Sequence, residues 1–148
     1  MSQQKSFEQY CEVKKMKLAS WNINSVRLRQ ALVLDRLQGL DLDVLCLQET
    51  KTEDQFFPVE AFAEAGWPHI VMRGEKSYNG VAIISRLPIT DSEHHNWTGR
   101  TDCRHISATI DGQTIHNFYV PAGGDVADRE VNEKFGQKLD YLPEMRDW

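Results

Sequence analysis

Residues 16–47 read MKLASWNINSVRLRQALVLDRLQGLDLDVLCL and contain the secondary-structure pattern that indicates the fold class. Residues 16–21 alternate polar and apolar side chains, which predicts a strand. Residues 26–39 predict a helix, and the continuous apolar run at 43–47 predicts a strand buried on both faces. A strand, a helix and a buried strand in succession form a βαβ unit, whose two strands run parallel through a right-handed crossover.

The helix of this unit carries signals at both ends and along one face. Ser25 is a suitable N-cap, and Gly39 is a suitable C-terminal residue. The predicted core-facing residues follow one another at regular helical spacing: Ala31, Leu34 and Leu37. The helix is therefore expected to pack one face against the sheet.

Shorter signals predict the remaining elements, which are a helix at 58–65, strands at 69–73 and 81–85, a hairpin of strands 104–110 and 114–120, and a final helix at 128–148. The hairpin prediction rests on Asp111-Gly112, a pair typical of tight turns. In the final helix, Pro143 is expected to kink or end the helix. The predicted apolar side of that helix consists of Val131, Phe135, Leu139 and Leu142.

Length and composition limit the classes of protein that fit. The 148 residues correspond to one domain or to part of a larger one, and 41% hydrophobic with 26% charged residues indicates a folded protein. No apolar run approaches the ~20 residues of a membrane helix. The net charge of -5 excludes a generally basic nucleic-acid binder, although a few local cations can still form a site. Residues 1–15 are polar and predict a disordered or weakly structured leader, so we place the domain at 16–148.

Cysteine usage indicates the redox environment. Cys11, Cys46 and Cys103 are an odd number and form neither a CxxC pair nor a metal-type spacing. They predict reduced thiols and hence a cytoplasmic location. Cys46 lies within the apolar strand and is expected to be buried, which argues against thiol catalysis.

Two polar residues follow the two strands of the βαβ unit. Asn22 comes after the first strand and Glu49 after the second. Because the carboxyl ends of parallel strands share one edge of the sheet, where ligands bind in open α/β sheets, we expect these side chains to be neighbours. A carboxylate beside an amide oxygen suits Mg²⁺. The alternative is that Asn22 caps the following helix and Glu49 is a solvated loop residue.

Four motifs occur in order along the chain: LASWNINS at 18–25, LQETK at 47–51, SYNGVAI at 77–83 and NFYVP at 117–121. Together they resemble the exonuclease III family of abasic-site endonucleases, within the endonuclease/exonuclease/phosphatase superfamily. The resemblance runs from about residue 16 to the end of the chain. Any one of these motifs alone would be weak, and their order gives the match its specificity.

The resemblance implies an α/β fold, the deoxyribonuclease I-like sandwich of two mixed sheets packed face to face with helices outside, of which about half is present here. It implies a DNA-repair nuclease that hydrolyses phosphodiester bonds at abasic sites and at 3′ ends of duplex DNA. The cofactor would be Mg²⁺ or Mn²⁺. The full-length enzyme would be a monomer without a membrane association.

The resemblance also assigns roles to residues. Asn22 and Glu49 fall on the metal-site positions, with Glu49 the direct ligand. Tyr119 falls on the active-site tyrosine, whose phenol would hydrogen-bond the scissile phosphate. These three would be the catalytic residues, since a cation and a neutral donor both stabilise charge that develops on phosphate oxygens.

Four further residues are implied to support the metal site and to bind DNA. Asn24 and Lys51 lie beside the metal-site positions, while Tyr78 and Arg104 fall where the family holds the DNA backbone. Two further cations near the first motif are candidate phosphate ligands: Arg27 and Arg29. Taken singly, Lys51 and Arg104 are more commonly solvated surface charges, as are Arg27 and Arg29. Tyr78 is as often loop packing as a DNA contact, and Tyr119 is more often a core or edge aromatic.

The family's later Gly-Asp-x-Asn segment and its terminal Asp-His pair are absent, and none of the five histidines matches the catalytic histidine. We therefore expect the sequence to be part of a longer enzyme and to have little or no nuclease activity by itself. Two other interpretations remain open. One is a phosphoesterase of the same superfamily acting on a small phosphoester, and the other is a non-catalytic DNA-binding or oligomerising half-domain.

Overall fold

The computed structural model describes residues 15–148. Nearly all of the predicted leader at 1–15, together with Cys11, lies outside the described residues. The boundary between leader and domain therefore stays a prediction.

The predicted βαβ unit is present. Strand β1 (Leu18–Asn22), helix α1 (Val26–Gly39) and strand β2 (Val44–Gln48) follow in sequence, and β1 pairs with β2 in parallel. All five residues of β2 are buried, as its apolar sequence predicted. The Ser25 side chain accepts a hydrogen bond from the Leu28 amide at 3.4 Å, which confirms Ser25 as the N-cap.

The predicted bounds of α1 are confirmed, since Gly39 is its last helical residue and Leu40, in an extended conformation, is the C-cap. The predicted core-facing side was wrong in part. Leu37 is buried as expected, but Ala31 is exposed. The buried face instead consists of Val26, Val33 and Leu37. The angle at which the helix crosses the sheet decides this face, and spacing alone does not supply that angle.

Two further strands complete the first sheet. Strands β3 (His69–Arg73) and β4 (Val81–Ser85) give the order β1-β2-β4-β3, with β4 antiparallel to both of its neighbours. The sheet is therefore mixed, as expected.

The second sheet is antiparallel and contains β5 (Ile89–Glu93), β6 (His105–Ile110) and β7 (Gln113–Phe118) in that order. The predicted hairpin joins β6 to β7 through a turn with φ of 49° at Asp111 and 72° at Gly112. Strand β5 was not predicted, because its sequence ITDSE is polar and four of its five residues are exposed. Such an edge strand is specified by pairing with its neighbour rather than by its own hydrophobic pattern.

The two remaining helices, one between β2 and β3 and one after β7, differ in how well the sequence predicted them. Helix α2 (Val59–Glu64) lies within its predicted range. Helix α3 (Glu133–Asp147) begins later than expected, at an Asn132 cap, and continues through Pro143 rather than ending there. Its expected apolar side was also wrong, because Tyr141 is the buried residue. Three of the predicted residues are exposed instead: Val131, Leu139 and Leu142.

The alternation of side chains in the first sheet creates two cores. One face of β2 and β4, including Leu47 and Ile84, packs against α1, α2 and the buried Trp67. The opposite face, including Cys46 and Ile83, packs against the second sheet. Burial raises the pKa of Cys46 to about 12, so the thiol stays protonated, as its apolar setting predicted. The result is the expected face-to-face packing of two sheets with helices outside.

A buried aromatic cluster joins the second sheet to α3. His105 is 1% exposed, and its Nδ1 accepts the His95 amide at 2.9 Å. Its Nε2 therefore carries the proton and donates to Nδ1 of His116 at 3.1 Å. Burial, aided by the neighbouring His116, lowers the pKa of His105 to about 4. Glu144 of α3 binds the same region through the Thr98 amide at 2.6 Å.

Within residues 15–148, none of the helices has the length and apolar character needed to cross a bilayer.

Replacing His105 with glutamine is expected to flatten the pH dependence of the unfolding free energy between pH 6.5 and 4. Because the pKa of His105 falls from 6.5 to about 4 on folding, the unfolded chain takes up the proton first. The unmodified chain should lose up to about 3 kcal/mol as the pH falls through this window. Urea unfolding at a series of pH values measures the effect. His94→Gln, at an exposed position, is the control and should keep the slope.

Two glycine substitutions separate backbone conformation from packing, since an added Cβ meets no atom within 4 Å at either position. Gly112 has a φ of 72°, so Gly112→Ala should lower the unfolding free energy by about 1 kcal/mol. Gly39 is helical, so Gly39→Ala should raise it by up to about 1 kcal/mol. Equal effects in thermal or urea unfolding would contradict this distinction.

Candidate active site

Asn22 and Glu49 meet at the carboxyl edge of the parallel strand pair. Asn22 pairs in register with Gln48, which places Glu49 directly beyond the end of β2. The Asn22 side chain donates from Nδ2 to Oε1 of Glu49 at 2.8 Å. This confirms the predicted proximity. The alternative in which Asn22 caps α1 is wrong, because Ser25 is the cap.

The two loops that follow β1 and β2 are bonded to each other through their backbones. The Ser25 amide donates to the Glu49 carbonyl at 2.7 Å, and the Val26 amide donates to the Thr50 carbonyl at 3.1 Å. Glu49 has a φ of 55° and Ser25 a φ of 87°, a left-handed conformation that costs free energy in residues with a Cβ. These hydrogen bonds stabilise the conformation that directs the Glu49 side chain.

A third loop, 74–80, is hydrogen-bonded to the residues that follow Glu49, and Gly80 permits its close approach there. The Thr50 amide donates to the Gly80 carbonyl at 3.2 Å, and the Lys51 amide donates to the Asn79 carbonyl at 2.9 Å. Gly80 has a φ of 93°, and a Cβ there would lie 2.1 Å from Oγ1 of Thr50. The glycine in the SYNG motif is therefore required for close approach of the two loops.

Tyr119 reaches this edge from the second sheet, just after β7. Its hydroxyl donates to Oε1 of Glu49 at 2.7 Å. The ring is half-buried and packs against the core between the sheets, so Tyr119 is at once a core aromatic and part of the site. Burial and the bond to the Glu49 carboxylate raise the pKa of the Tyr119 phenol, which therefore keeps its proton at neutral pH.

Glu49 accepts hydrogen bonds on both carboxylate oxygens. Lys51 Nζ lies 3.1 Å from Oε2 of Glu49 and donates to Oδ1 of Asn24 at 2.6 Å. Burial raises the pKa of Glu49, but hydrogen bonds from Asn22, Tyr119 and Lys51 outweigh it, and the net pKa is lowered. Glu49 is thus ionised at neutral pH.

Arg104 contacts Tyr119 rather than Glu49. Its Nε donates to Asp102 at 2.6 Å, its Nη1 donates to the Tyr119 carbonyl at 3.2 Å, and its guanidinium lies 4.9 Å from the centre of the Tyr119 ring. The side chain is only 12% exposed, so it is not a freely solvated charge. Gln137 of α3 donates to the same carboxylate oxygen of Asp102 at 2.8 Å.

A cleft of about 560 Å³ opens beside Tyr119. Tyr78, Arg104 and Lys134 are among the residues that line it. Tyr78 is 71% exposed, so the alternative in which it packs within its loop is wrong. The lining of the cleft thus contains cationic side chains beside Tyr119.

The other two candidate cations, Arg27 and Arg29, belong to the first turn of α1. Arg27 stands over the ring of Phe56 at 5.7 Å, and Arg29 donates to the carbonyl of Asn24. Across residues 15–148, no group of three or more His, Cys, Asp or Glu side chains is arranged to hold a metal ion.

Sequence reasoning missed two residues behind the site, Gln48 and Asn117. It also missed Asp102, the carboxylate that accepts a hydrogen bond from Arg104. Asn117 stands between Ile115 and Tyr119 on the inward side of β7. An asparagine in an inward position of an alternating strand is a signal that the sequence did contain. Asp102 carries no such signal: one of its contacts is with Arg104, two residues on, and the other, with Gln137 of α3, forms only when the chain folds.

The oxygen donors at this edge fit a hard divalent cation. Glu49 supplies an ionised carboxylate, and the amide of Asn22 also carries an oxygen. Mg²⁺ commonly takes only one or two protein carboxylates and completes its shell with water and substrate phosphate. The oxygens of Asn22 and Glu49 are thus of the kind that a hard divalent cation takes, without a larger acidic cluster.

Comparisons with known proteins agree with this geometry. Residues 19–145 match the Endonuclease/Exonuclease/phosphatase family. The chain is 35% identical over 139 residues to exodeoxyribonuclease III of Haemophilus influenzae, which covers 90% of this chain and 51% of that protein. It is 36% identical over 115 residues to an exodeoxyribonuclease of Bacillus subtilis, which covers 72% of this chain and 43% of that protein. The chain thus spans about half the length of the curated relatives it matches.

Solved structures give the same result. An AP endonuclease from Archaeoglobus fulgidus superposes with a TM-score of 0.80 at 35% identity, and the match covers 90% of this chain and 51% of that one. The 3′ phosphatase NExo from Neisseria, bound to a product DNA hairpin, superposes with a TM-score of 0.80 at 33% identity and the same coverage. The expected resemblance to exonuclease III proteins and the expected sandwich fold are both confirmed. The chain therefore belongs to the Endonuclease/Exonuclease/phosphatase family.

Proposed function

We propose that this chain carries the metal-binding edge of a DNA-repair nuclease that hydrolyses phosphodiester bonds at abasic sites and at 3′ ends of duplex DNA. The observation that carries the proposal is the meeting of Asn22, Glu49 and Tyr119 at one edge of the sandwich. The relatives include exodeoxyribonucleases and an AP endonuclease, which supports this substrate class.

Glu49 and Asn22 are the proposed metal ligands. The lowered pKa of Glu49 keeps the carboxylate charged, and hydrogen bonds hold both side chains in place before any ion binds. A bound Mg²⁺ or Mn²⁺ supplies positive charge beside the phosphate oxygens. Lys51, 3.1 Å from Glu49, adds a fixed positive charge at the same edge.

Tyr119 is the proposed hydrogen-bond donor to the scissile phosphate. Its raised pKa keeps the phenol protonated at neutral pH, which a donor to a negatively charged oxygen requires. In the chain by itself the hydroxyl donates to Glu49, so substrate binding redirects a donor that is already at the site. Arg104 holds the ring and the backbone of Tyr119 and thereby limits that movement.

Lys51, Asn24, Tyr78 and Arg104 are the proposed DNA-binding residues. Tyr78 is well exposed at the cleft, which gives it access to a nucleotide backbone. The net charge of -5 means that local cations, and not the whole-molecule field, provide the attraction. A few phosphate contacts of this kind give an affinity that falls as salt rises.

The remaining features of the proposal concern the setting of the enzyme. Cys46 and Cys103 are buried free thiols, which supports a reducing, cytoplasmic location. We also propose that the full-length enzyme is a monomer.

Replacing Glu49 with glutamine should weaken Mn²⁺ binding by at least about tenfold, a loss that removal of even an outer-shell group can produce. The glutamine keeps the size of the side chain but removes the charge that attracts the cation. Titration of the 148-residue chain, followed by the electron paramagnetic resonance of free Mn²⁺, measures the affinity. Glu60→Gln, at an exposed position of α2, is the matched control. Equal affinities for all three proteins would contradict the assignment.

Binding assays separate the proposed substrate class from the alternatives. In Mg²⁺, the chain should bind a duplex containing a tetrahydrofuran abasic-site analogue more tightly than the matched intact duplex, with little or no turnover.

Lys51→Met should reduce the slope of log affinity against log salt by about 1, because one phosphate contact is lost. Arg36→Met, exposed in the last turn of α1, should leave it unchanged. Displacement of the duplex by an inositol phosphate at comparable concentration would favour the small-phosphoester alternative.

A further inference from the structure

Asn117 is a polar side chain in the apolar interface between the two sheets. It is 2% exposed and pairs across the second sheet with Ile106. Its neighbours on the inward side of β7 are Ile115 and Tyr119, both packed against the core between the sheets. An isolated amide in such a position costs free energy unless every polar atom finds a partner.

All the hydrogen bonds of the Asn117 side chain cross to the first sheet. Nδ2 donates to the Leu47 carbonyl of β2 at 2.8 Å and to the Ala82 carbonyl of β4 at 2.9 Å. Oδ1 accepts from Nε2 of Gln48 at 2.7 Å. The reverse orientation of the amide would place its oxygen against two carbonyl oxygens, so the contacts allow only one orientation.

The network extends to the outer strand of the first sheet. Gln48 also donates to Oγ of Ser20 on β1 at 3.0 Å. One buried amide on β7 is thereby linked to three strands of the opposite sheet. Hydrogen bonds are directional, whereas apolar contacts allow two sheets to shift relative to each other, so this network sets a defined separation at this position.

The network lies immediately behind the site. Gln48 directly precedes Glu49 in the chain, and Asn117 is two residues before Tyr119 on the same side of β7. The 2.7 Å contact between the Tyr119 hydroxyl and Glu49 is therefore the next cross-sheet bond after the one between Asn117 and Gln48. A change in the spacing between the sheets at Asn117 would move Tyr119 relative to Glu49.

We propose that Asn117 is a positioning residue, whose bonds to Gln48 and to two carbonyls of the opposite sheet set the approach of Tyr119 to Glu49. It does not touch the reacting groups and acts through Tyr119, two residues further along the chain, and through Gln48, which directly precedes Glu49. A role of Asn117 in catalysis rests on the proposed function. Its effect on the Tyr119–Glu49 contact does not, because that contact can be measured without any activity. If Asn117 only stabilised the fold, its replacement would lower the free energy of unfolding and leave the Tyr119–Glu49 contact intact.

The test uses the 148-residue chain labelled with ¹³C in its tyrosine rings. Nuclear magnetic resonance reports the Tyr119 Cζ signal, which Tyr119→Phe assigns, and Glu49→Ala gives the signal position when the contact is lost. Asn117→Leu should move the Tyr119 signal most of the way towards that position. Ile115→Ala, an inward substitution on the same strand, should lower stability and leave the signal in place.

Gln48→Met keeps the Asn117 bonds to the two carbonyls and removes only the link between the side chains. It should move the Tyr119 signal part of the way, and it serves as the decisive variant if Asn117→Leu does not fold. An unchanged Tyr119 signal in the folded Asn117→Leu protein, or in Gln48→Met where Asn117→Leu is unfolded, would overturn the proposal.

Mn²⁺ titration of the same variants separates this inference from the proposed function. Asn117→Leu should weaken Mn²⁺ binding by about tenfold, as loss of a group that orients a ligand does, and Ile115→Ala should not. If the unmodified chain fails to bind Mn²⁺ while the Tyr119 signal still responds to Asn117→Leu, the proposed function fails and the positioning role stands. If the unmodified chain binds Mn²⁺ but Asn117→Leu does not move the Tyr119 signal, the positioning role fails and the proposed function stands.

Discussion

The hydrogen bond from the Tyr119 hydroxyl to the Glu49 carboxylate joins the two sheets at one edge, and the rest of the site is arranged around it. Glu49 belongs to the βαβ unit, whereas Tyr119 comes from a hairpin strand far along the chain. Their contact requires the two sheets to pack face to face with a defined separation. The core between the sheets supplies the packing, and the amide of Asn117 supplies directional bonds beside the contact.

Backbone conformation is the second requirement of the site. Glu49 adopts a left-handed conformation in a loop that is bonded to the loop after β1 and to the loop before β4. Because Gly80 lacks a side chain, the latter loop can approach Thr50 closely. Strain of this kind persists where surrounding contacts hold it, and it is common at functional sites. The site is therefore built from three loops that support one another, and two of them adjoin the fully buried strands β2 and β4.

Charge is organised locally rather than over the whole molecule. The chain is acidic overall, yet the Glu49 carboxylate is surrounded by an amide, a phenol and an ammonium group that all donate to it. These donors keep Glu49 ionised, while burial and the Glu49 carboxylate raise the pKa of Tyr119 and keep its phenol protonated, which are the states that the proposed metal ligand and the proposed phosphate donor need. Arg104 is equally constrained, since Asp102 and Tyr119 occupy its guanidinium.

The βαβ unit, the tight turn at Asp111-Gly112 and the proximity of Asn22 to Glu49 could be predicted without coordinates, because periodicity, turn chemistry and the rule for parallel strands are local or topological. The ordered motifs were likewise enough to predict the family. The buried face of α3, the pairing of the polar strand β5, and the contacts of Asn117 and of Asp102 with Gln137 could be read only from the folded chain. Each of these depends on which surfaces face each other after the sheets pack, and spacing along one segment carries no information about its partner.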